Sequence, residues 1–189
     1  GILTRFEGNN ISVESGNYVP KPFYIEADWS AASYFYAMAV LAEAASIELK
    51  GLTNQQIQGD AVIASIANRF GVETTWKENA VEIRKVSKPD FSVFDFDFLE
   101  CPDLAQTVVA FCAALKIELH CKGLQTLRIK ETDRIAALDT ELQKLGLASL
   151  VELDSNNWQL ISNKLNTQGT QLTPIHTYDD HRMAMAFAP

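Results

Sequence analysis

The stretch Arg128-Ile129-Lys130-Glu131-Thr132-Asp133-Arg134 packs three cations and two carboxylates into seven residues. The pattern that follows predicts a helix over 132–145, with Thr132 or Asp133 able to cap it. Helix starts favour acids, because their free N–H groups carry partial positive charge, so cations crowded here oppose the dipole. A bound anion would resolve that conflict. If the helix reaches back to Lys130, then Lys130 and Arg134 share a face and Glu131 lies about 100° around it. Two cations for a phosphate or carboxylate would then stand beside one carboxyl group able to move a proton. A solvated helix start with compensating charges is the alternative, and spacing alone leaves both open.

A second charged string, Tyr178-Asp179-Asp180-His181-Arg182, also falls where a strand-like run gives way to a helical one. Arg182 offers a planar fork for a planar anion. Alternatively, Asp179 or Asp180 caps the helix while His181 and Arg182 sit in solvent. Asp103, between Cys101-Pro102 and Leu104-Ala105-Gln106-Thr107, reads either as a helix cap or as a general base. Asp28, Ser30 and Ser33 hold the corresponding earlier place and read as caps. Charged strings at equivalent junctions favour a shared anion site.

The elements that position these residues form a repeat. Phe23 to Met38, Phe94 to Ala110 and Ile175 to Ala188 each run from an apolar strand-like stretch through an acid into an Ala-rich helical stretch. The junction acids Asp28, Asp103 and Asp180 lie 75 and 77 residues apart, and Gly71 and Gly146, closing a later helix, are also 75 apart. In the first unit the pattern predicts strand 23–25, helix 30–44, strand 46–50, helix 60–70, and strands 73–77 and 80–84 joined at Glu78-Asn79. In the second it predicts strand 94–98, helix 103–115, strand 117–120, helix 132–145, and strands 148–153 and 158–161. The order is βαβαββ in units of about 20–85 and 91–162, with a third from about 172 that breaks off at Pro189. Pro20, Pro22 and the 85–90 stretch around Pro89 read as linkers within one domain. The natural chain is expected to continue beyond both ends.

With 189 residues and 47% hydrophobic content, the chain can bury a substantial core. The apolar run near 37–42 falls far short of the about 20 residues that cross a bilayer, and a cytoplasmic protein is the expectation. A net charge of −8 argues against a nucleic-acid partner, whose affinity comes mainly from a basic face. Cys101, Cys112 and Cys121 match no disulfide or zinc pattern and read as reduced, buried thiols. His120, His176 and His181 show no metal-ligand spacing, so no metal is expected.

Lys130-Glu131-Thr132-Asp133-Arg134, the string from Tyr178 to Met185, and Pro102-Asp103 resemble, in order and spacing, signatures of the 5-enolpyruvylshikimate-3-phosphate synthase family. Asp28-Trp29-Ser30-Ala31-Ala32-Ser33 and Gln58-Gly59-Asp60 resemble two further landmarks, so the likeness covers essentially the whole chain. It implies an α/β (α+β) protein of repeated βαβαββ units in the enolpyruvyl transferase, or inside-out α/β barrel, fold. Residues 1–189 would form most of the C-terminal domain.

The implied reaction is addition of the 5-hydroxyl of shikimate 3-phosphate to C2 of phosphoenolpyruvate, protonation at C3 and departure of phosphate, with no cofactor or metal. The resemblance makes Asp103 the residue that holds the shikimate ring and takes its hydroxyl proton, and Glu131 the proton donor to phosphoenolpyruvate. Lys130 is the implied ligand of shikimate 3-phosphate, and Arg134 and Arg182 the implied ligands of phosphoenolpyruvate. Thr126 holds the place of a longer polar ligand to shikimate 3-phosphate, and this is a departure from the family's pattern. Further ligands would lie outside the chain, so that 1–189 alone would be inactive and the full-length protein a monomer. The UDP-N-acetylglucosamine enolpyruvyl transferase shares fold and donor without the Lys-Glu-Thr-Asp-Arg string, and a binding domain that kept only the fold is the rival of another class.

Overall fold

A tight hairpin opens the computed structural model, which describes residues 2–54, 57–163 and 173–189. Its strands β1 (Thr4–Glu7) and β2 (Asn10–Val13) are joined by Gly8-Asn9, with Gly8 at φ +59°. Helix α1 (Trp29–Leu41) then leads to β3 (Ser46–Lys50). A 3-10 turn at Gly59–Val62 runs into α2 (Ile63–Arg69), followed by β4 (Val72–Lys77) and β5 (Ala80–Lys85). Next come β6 (Val93–Asp97), a 3-10 turn at Pro102–Leu104, α3 (Ala105–Leu115) and β7 (Glu118–Lys122). A further 3-10 turn at Gln125–Ile129 precedes α4 (Arg134–Lys144), β8 (Ala148–Glu152) and β9 (Asn157–Ser162), and the last helix is α5 (His181–Ala186).

The two larger sheets share a plan. Strands β3-β5-β4 form one antiparallel sheet, and β7-β9-β8 repeat that order in the other, with β6 added parallel to β7. The stretch 23–25, predicted as a strand, is not one: Phe23 and Ile25 are exposed, and the Ala27 N–H to Gly51 carbonyl bond, 2.8 Å, marks the missing edge. Its counterpart in the second sheet is the Phe98 N–H to Lys122 carbonyl bond, 2.9 Å. Pro20 and Pro22 just before it remove ladder donors, which disfavours strand pairing. The expected strand-like run from Ile175 is likewise absent over 173–177, and the expected start of the third unit at 172 lies outside the described residues.

Each of the two larger sheets is polar outside and apolar within, as alternation along a half-buried strand requires. Phe94, Leu119, Cys121, Trp158 and Leu160 turn inward while Asp95, His120 and Gln159 face out. The helices lie between the sheets: α1 packs on α2 and α3, and α3 also meets α4 and α5. A helix apolar nearly all round belongs in a core. In α1, Trp29, Tyr36, Ala37, Ala39 and Val40 are all at most 1% exposed. Gly71 closes α2 at φ +80°, and an added Cβ there would stand 2.1 Å from the Ser87 carbonyl oxygen, so only glycine fits.

The three cysteines are buried and unpaired, and burial pushes the thiols of Cys101 and Cys121 up to about 12. Among the described residues no helix is long and apolar enough to cross a membrane.

On the outer face of the second sheet, His120 pairs with Glu118 and Asp95, at 3.0 Å each. The Glu118 hydrogen bond raises the imidazole pKa most, burial opposes the rise, and Asp95 adds to it. A raised folded-state pKa contributes stability at pH below the ordinary imidazole value and loses it as pH rises through the raised one. Urea midpoints measured between about pH 5 and 8 are expected to fall on the alkaline side. His120→Gln should flatten that slope, and an unchanged slope would show that the pair contributes nothing.

Candidate active site

The starts of α1, α3, α4 and α5 meet where the helices of the two units converge, and Arg134 stands at the centre. As the first residue of α4, 1% exposed, it donates from Nε to Asp180 Oδ2 at 2.6 Å and from Nη2 to Asp180 Oδ1 at 3.3 Å. Its Nη1 donates to Asp103 Oδ1 at 3.0 Å and its Nη2 to Glu131 Oε2 at 2.6 Å. A buried guanidinium needs such compensation, since an unpaired charge in a low dielectric is very costly. The cations at this helix start are thus met by carboxylates of the chain itself.

Asp103 gathers the remaining charges. Besides Arg134, its carboxylate meets Arg182 Nη2 at 3.2 Å and Lys130 Nζ at 3.5 Å. It does not cap α3, whose N-cap is Leu104, and so the capping alternative is set aside. Asp133 caps α4 through the Ala136 N–H, and Asp28 caps α1 through the N–H groups of Ser30 and Ala31, as expected. Asp180 caps α5 through the Arg182 N–H at 2.8 Å while also clasping Arg134, so it does two jobs where the sequence offered one. Burial raises the Asp180 carboxyl, but the bonds from the Arg134 side chain and the Arg182 N–H outweigh it and hold it below the ordinary value.

Helix α4 begins at Arg134, not at Lys130, because Lys130 is extended (φ −86°, ψ −156°). Lys130 and Arg134 therefore do not share a helix face, yet the extended link still delivers both to Asp103. Glu131 is the most open member, its side chain 52% exposed. Arg128 turns away to Asp133 and Glu152. Thr126 is exposed in the 3-10 turn at Gln125–Ile129 and takes no part in the network.

Arg182 also reaches back to the first unit, where its Nη2 donates to Ser30 Oγ at 3.4 Å and Ser30 in turn donates to Asp60 Oδ2. Burial raises the Asp60 carboxyl, a rise that the Ser30 bond partly offsets. The buried Tyr34 phenol lies beside Arg182: burial raises its pKa and the Arg182 charge pulls against that. Neither Asp60 nor Tyr34 was singled out as a charge partner from sequence. A hint existed for Tyr34, one turn beyond Ser30 on a helix whose start is polar. Gln106, just past Asp103 on α3, is 1% exposed with neither amide atom hydrogen-bonded among the described residues.

Lys130, Arg134 and Arg182 are matched by Asp103, Glu131 and Asp180, with Asp60 a further carboxyl group linked to Arg182 through Ser30. An anion approaching Arg134 meets carboxylates already paired with it. Glu131 is the one free to go, being exposed and tied to Arg134 alone among the described residues. A concavity of about 710 Å³ lies elsewhere, on the second sheet beside His120, Lys122 and Asp154.

Fold and site together define a repeat-built α/β protein whose charged centre lies where four helix starts meet. The family model of EPSP synthase (3-phosphoshikimate 1-carboxyvinyltransferase) matches residues 2–188. The 3-phosphoshikimate 1-carboxyvinyltransferase of Bacteroides fragilis is 45% identical over 181 residues, covering 95% of this chain and 43% of that protein. That of Neisseria meningitidis serogroup B is 34% identical over 181 residues, covering 94% of this chain and 40% of the relative. A solved EPSP synthase from Acinetobacter baumannii superposes with a TM-score of 0.68 at 20% identity, over 99% of this chain and 44% of that one, and so shares the fold. The chain belongs to the EPSP synthase family. It spans less than half the length of the curated relatives it matches.

Proposed function

We propose that the chain forms most of the C-terminal domain of an enzyme that transfers the enolpyruvyl group of phosphoenolpyruvate to the 5-hydroxyl of shikimate 3-phosphate, releasing phosphate. The observation that carries this reading is the convergence of Asp103, Glu131, Arg134 and Arg182, from three separate helix starts, into one network. Family membership supports the same reaction. The protein would act as a cytoplasmic monomer, and proton and phosphate movements of this kind need no redox group.

In this reading Lys130 binds shikimate 3-phosphate, and Asp103, still 29% exposed, accepts the proton of its 5-hydroxyl as that oxygen bonds to C2 of the donor. Glu131, exposed enough to take up a proton from water once it leaves Arg134, delivers that proton to the C3 methylene, giving a tetrahedral adduct with a methyl group. Phosphate then departs with the proton that Asp103 took from the hydroxyl, the methyl returns a proton to Glu131, and the double bond re-forms. Arg134 and Arg182 hold the donor and the negative charge that collects on the leaving phosphate, and preorganised cations act most strongly where water is excluded. The donor's anion takes the place of Glu131 on Arg134, which frees the carboxyl group to reach the methylene. Thr126 would contribute at most an outlying hydroxyl to shikimate 3-phosphate.

The test is phosphate release by the full-length protein. Release that requires both phosphoenolpyruvate and shikimate 3-phosphate is expected; no release with the two together would end this assignment.

A further inference from the structure

Glu141 is a buried carboxylate that the proposed reaction does not use. It lies seven residues beyond Arg134 on α4, with Leu138 between them, and seven residues bring a helix back to nearly the same face about 10 Å further on. All three residues are at most 1% exposed. The Glu141 carboxylate accepts hydrogen bonds from Lys144 Nζ at 2.8 Å, from the Tyr178 hydroxyl at 3.0 Å and from the His176 backbone N–H at 3.3 Å. Burial raises this carboxyl group, and the three donors together outweigh burial and hold it below the ordinary value.

The segment it grips is the one that sets the charged centre. Tyr178 and Asp179 are both left-handed, at φ +58° and +54°, a backbone region that side chains other than glycine resist and that persists only where the surroundings enforce it. The Asp180 N–H closes the turn onto the Thr177 carbonyl at 3.0 Å, and Asp180 then clasps Arg134 and caps α5. Helix α4 thus holds the segment 176–180 at two points, with Glu141 at His176 and Tyr178 and Arg134 at Asp180. The rigid spacing of one helix face sets where Asp180 and Arg182 stand.

We propose that Glu141 is a positioning residue for the donor site: through Tyr178 it holds the left-handed turn that presents Asp180 and Arg182 to Arg134. The proposal rests on the enolpyruvyl-transfer reading, in which Arg134 and Arg182 bind phosphoenolpyruvate. Releasing the turn loosens those two cations and leaves the shikimate 3-phosphate contacts of Lys130 in place. Misplacing a binding group by about 1 Å is enough to change a rate or an affinity by an order of magnitude or more.

Steady-state kinetics of the full-length protein test it. Glu141→Ala should raise KM for phosphoenolpyruvate about 10-fold and leave KM for shikimate 3-phosphate nearly unchanged. Tyr178→Phe, which removes one hydroxyl and keeps the ring packing, should move KM in the same direction. Glu141→Gln, whose amide oxygen still accepts from Tyr178, should recover most of the loss. Asp139→Ala is the control, since it loses the 2.9 Å bond to the Leu150 N–H on another face of α4. It should lower the melting temperature without moving either KM. If Glu141→Ala does not fold, Tyr178→Phe decides. A KM for phosphoenolpyruvate that stays within about two-fold of the parent overturns the positioning role, whatever happens to the melting temperature. A parent with no turnover would instead sink the reaction itself.

Discussion

Replacing Arg134 with methionine is expected to cost about 3–5 kcal/mol of stability, the usual penalty for leaving a buried charge without its partner. Asp180 would be the stranded charge: its side chain is 0% exposed, and Arg134 Nε and Nη2 are the side-chain donors that compensate it. Urea unfolding at neutral pH is the measurement. Neutralising both partners in Arg134→Met/Asp180→Asn should recover a large part of the loss, because an amide is far cheaper to bury than a carboxylate. The pH dependence has a definite sign. Asp180 has a depressed folded-state pKa, so its contribution is present above the unfolded carboxyl value and lost as pH falls through the depressed one. The gap between parent and Arg134→Met should therefore narrow below about pH 4. A loss under about 1 kcal/mol would place the pair among weak surface contacts, against the burial seen.

Glu131→Gln in the full-length protein should lower kcat by about 10²- to 10⁴-fold, the range that general acid–base groups contribute, with KM for shikimate 3-phosphate little changed. The amide keeps the size and one acceptor of the carboxyl group but cannot give up a proton to the methylene. The amide also loses the charge that holds Arg134 Nη2 at 2.6 Å, so the donor faces a weaker competitor for that cation. Phosphoenolpyruvate should accordingly bind the variant at least as tightly as the parent while being turned over far more slowly. Calorimetry and initial rates on the same preparation separate the two effects. Near-normal turnover would remove Glu131 from the chemistry.

Much of this architecture was legible in the chain because apolar periodicity and glycine stops are local signals. The strand at 46–50 matches β3 residue for residue, and Gly71 closes α2 with the left-handed φ that such a stop requires. The stretch 23–25 read as a strand because aromatic and β-branched residues favour pleated surfaces, but a strand needs a partner along its length as well as a propensity. The opening hairpin went unread although Gly8-Asn9 sits between alternating residues, a recognisable turn signal.

The site was legible as a set of residues and not as a set of partners. The strings around Lys130 and Arg182 marked where charge gathers, and the structure brings Asp103, Lys130, Glu131, Arg134 and Arg182 together. Sequence could not show that the cations are already neutralised within the chain. Asp180 lies 46 residues from Arg134, and Ser30 lies 152 from Arg182, so these pairs arise only from the packing of α1, α3, α4 and α5. Thr126, which the family resemblance puts in the place of a longer polar ligand, is exposed in the 3-10 turn and lies outside this network.

The central claim is that the network around Arg134 is the donor site, held shut by Glu131 until an anion replaces it. A crystal structure of the full-length protein with shikimate 3-phosphate and phosphoenolpyruvate bound tests this most directly. The account predicts donor oxygens hydrogen-bonded to Arg134 and Arg182, the 5-hydroxyl on Asp103, and the Glu131 carboxyl group released from Arg134 and lying against the donor's methylene. Ligands bound elsewhere, with the Arg134–Glu131 pair still closed at its 2.6 Å separation, would contradict it.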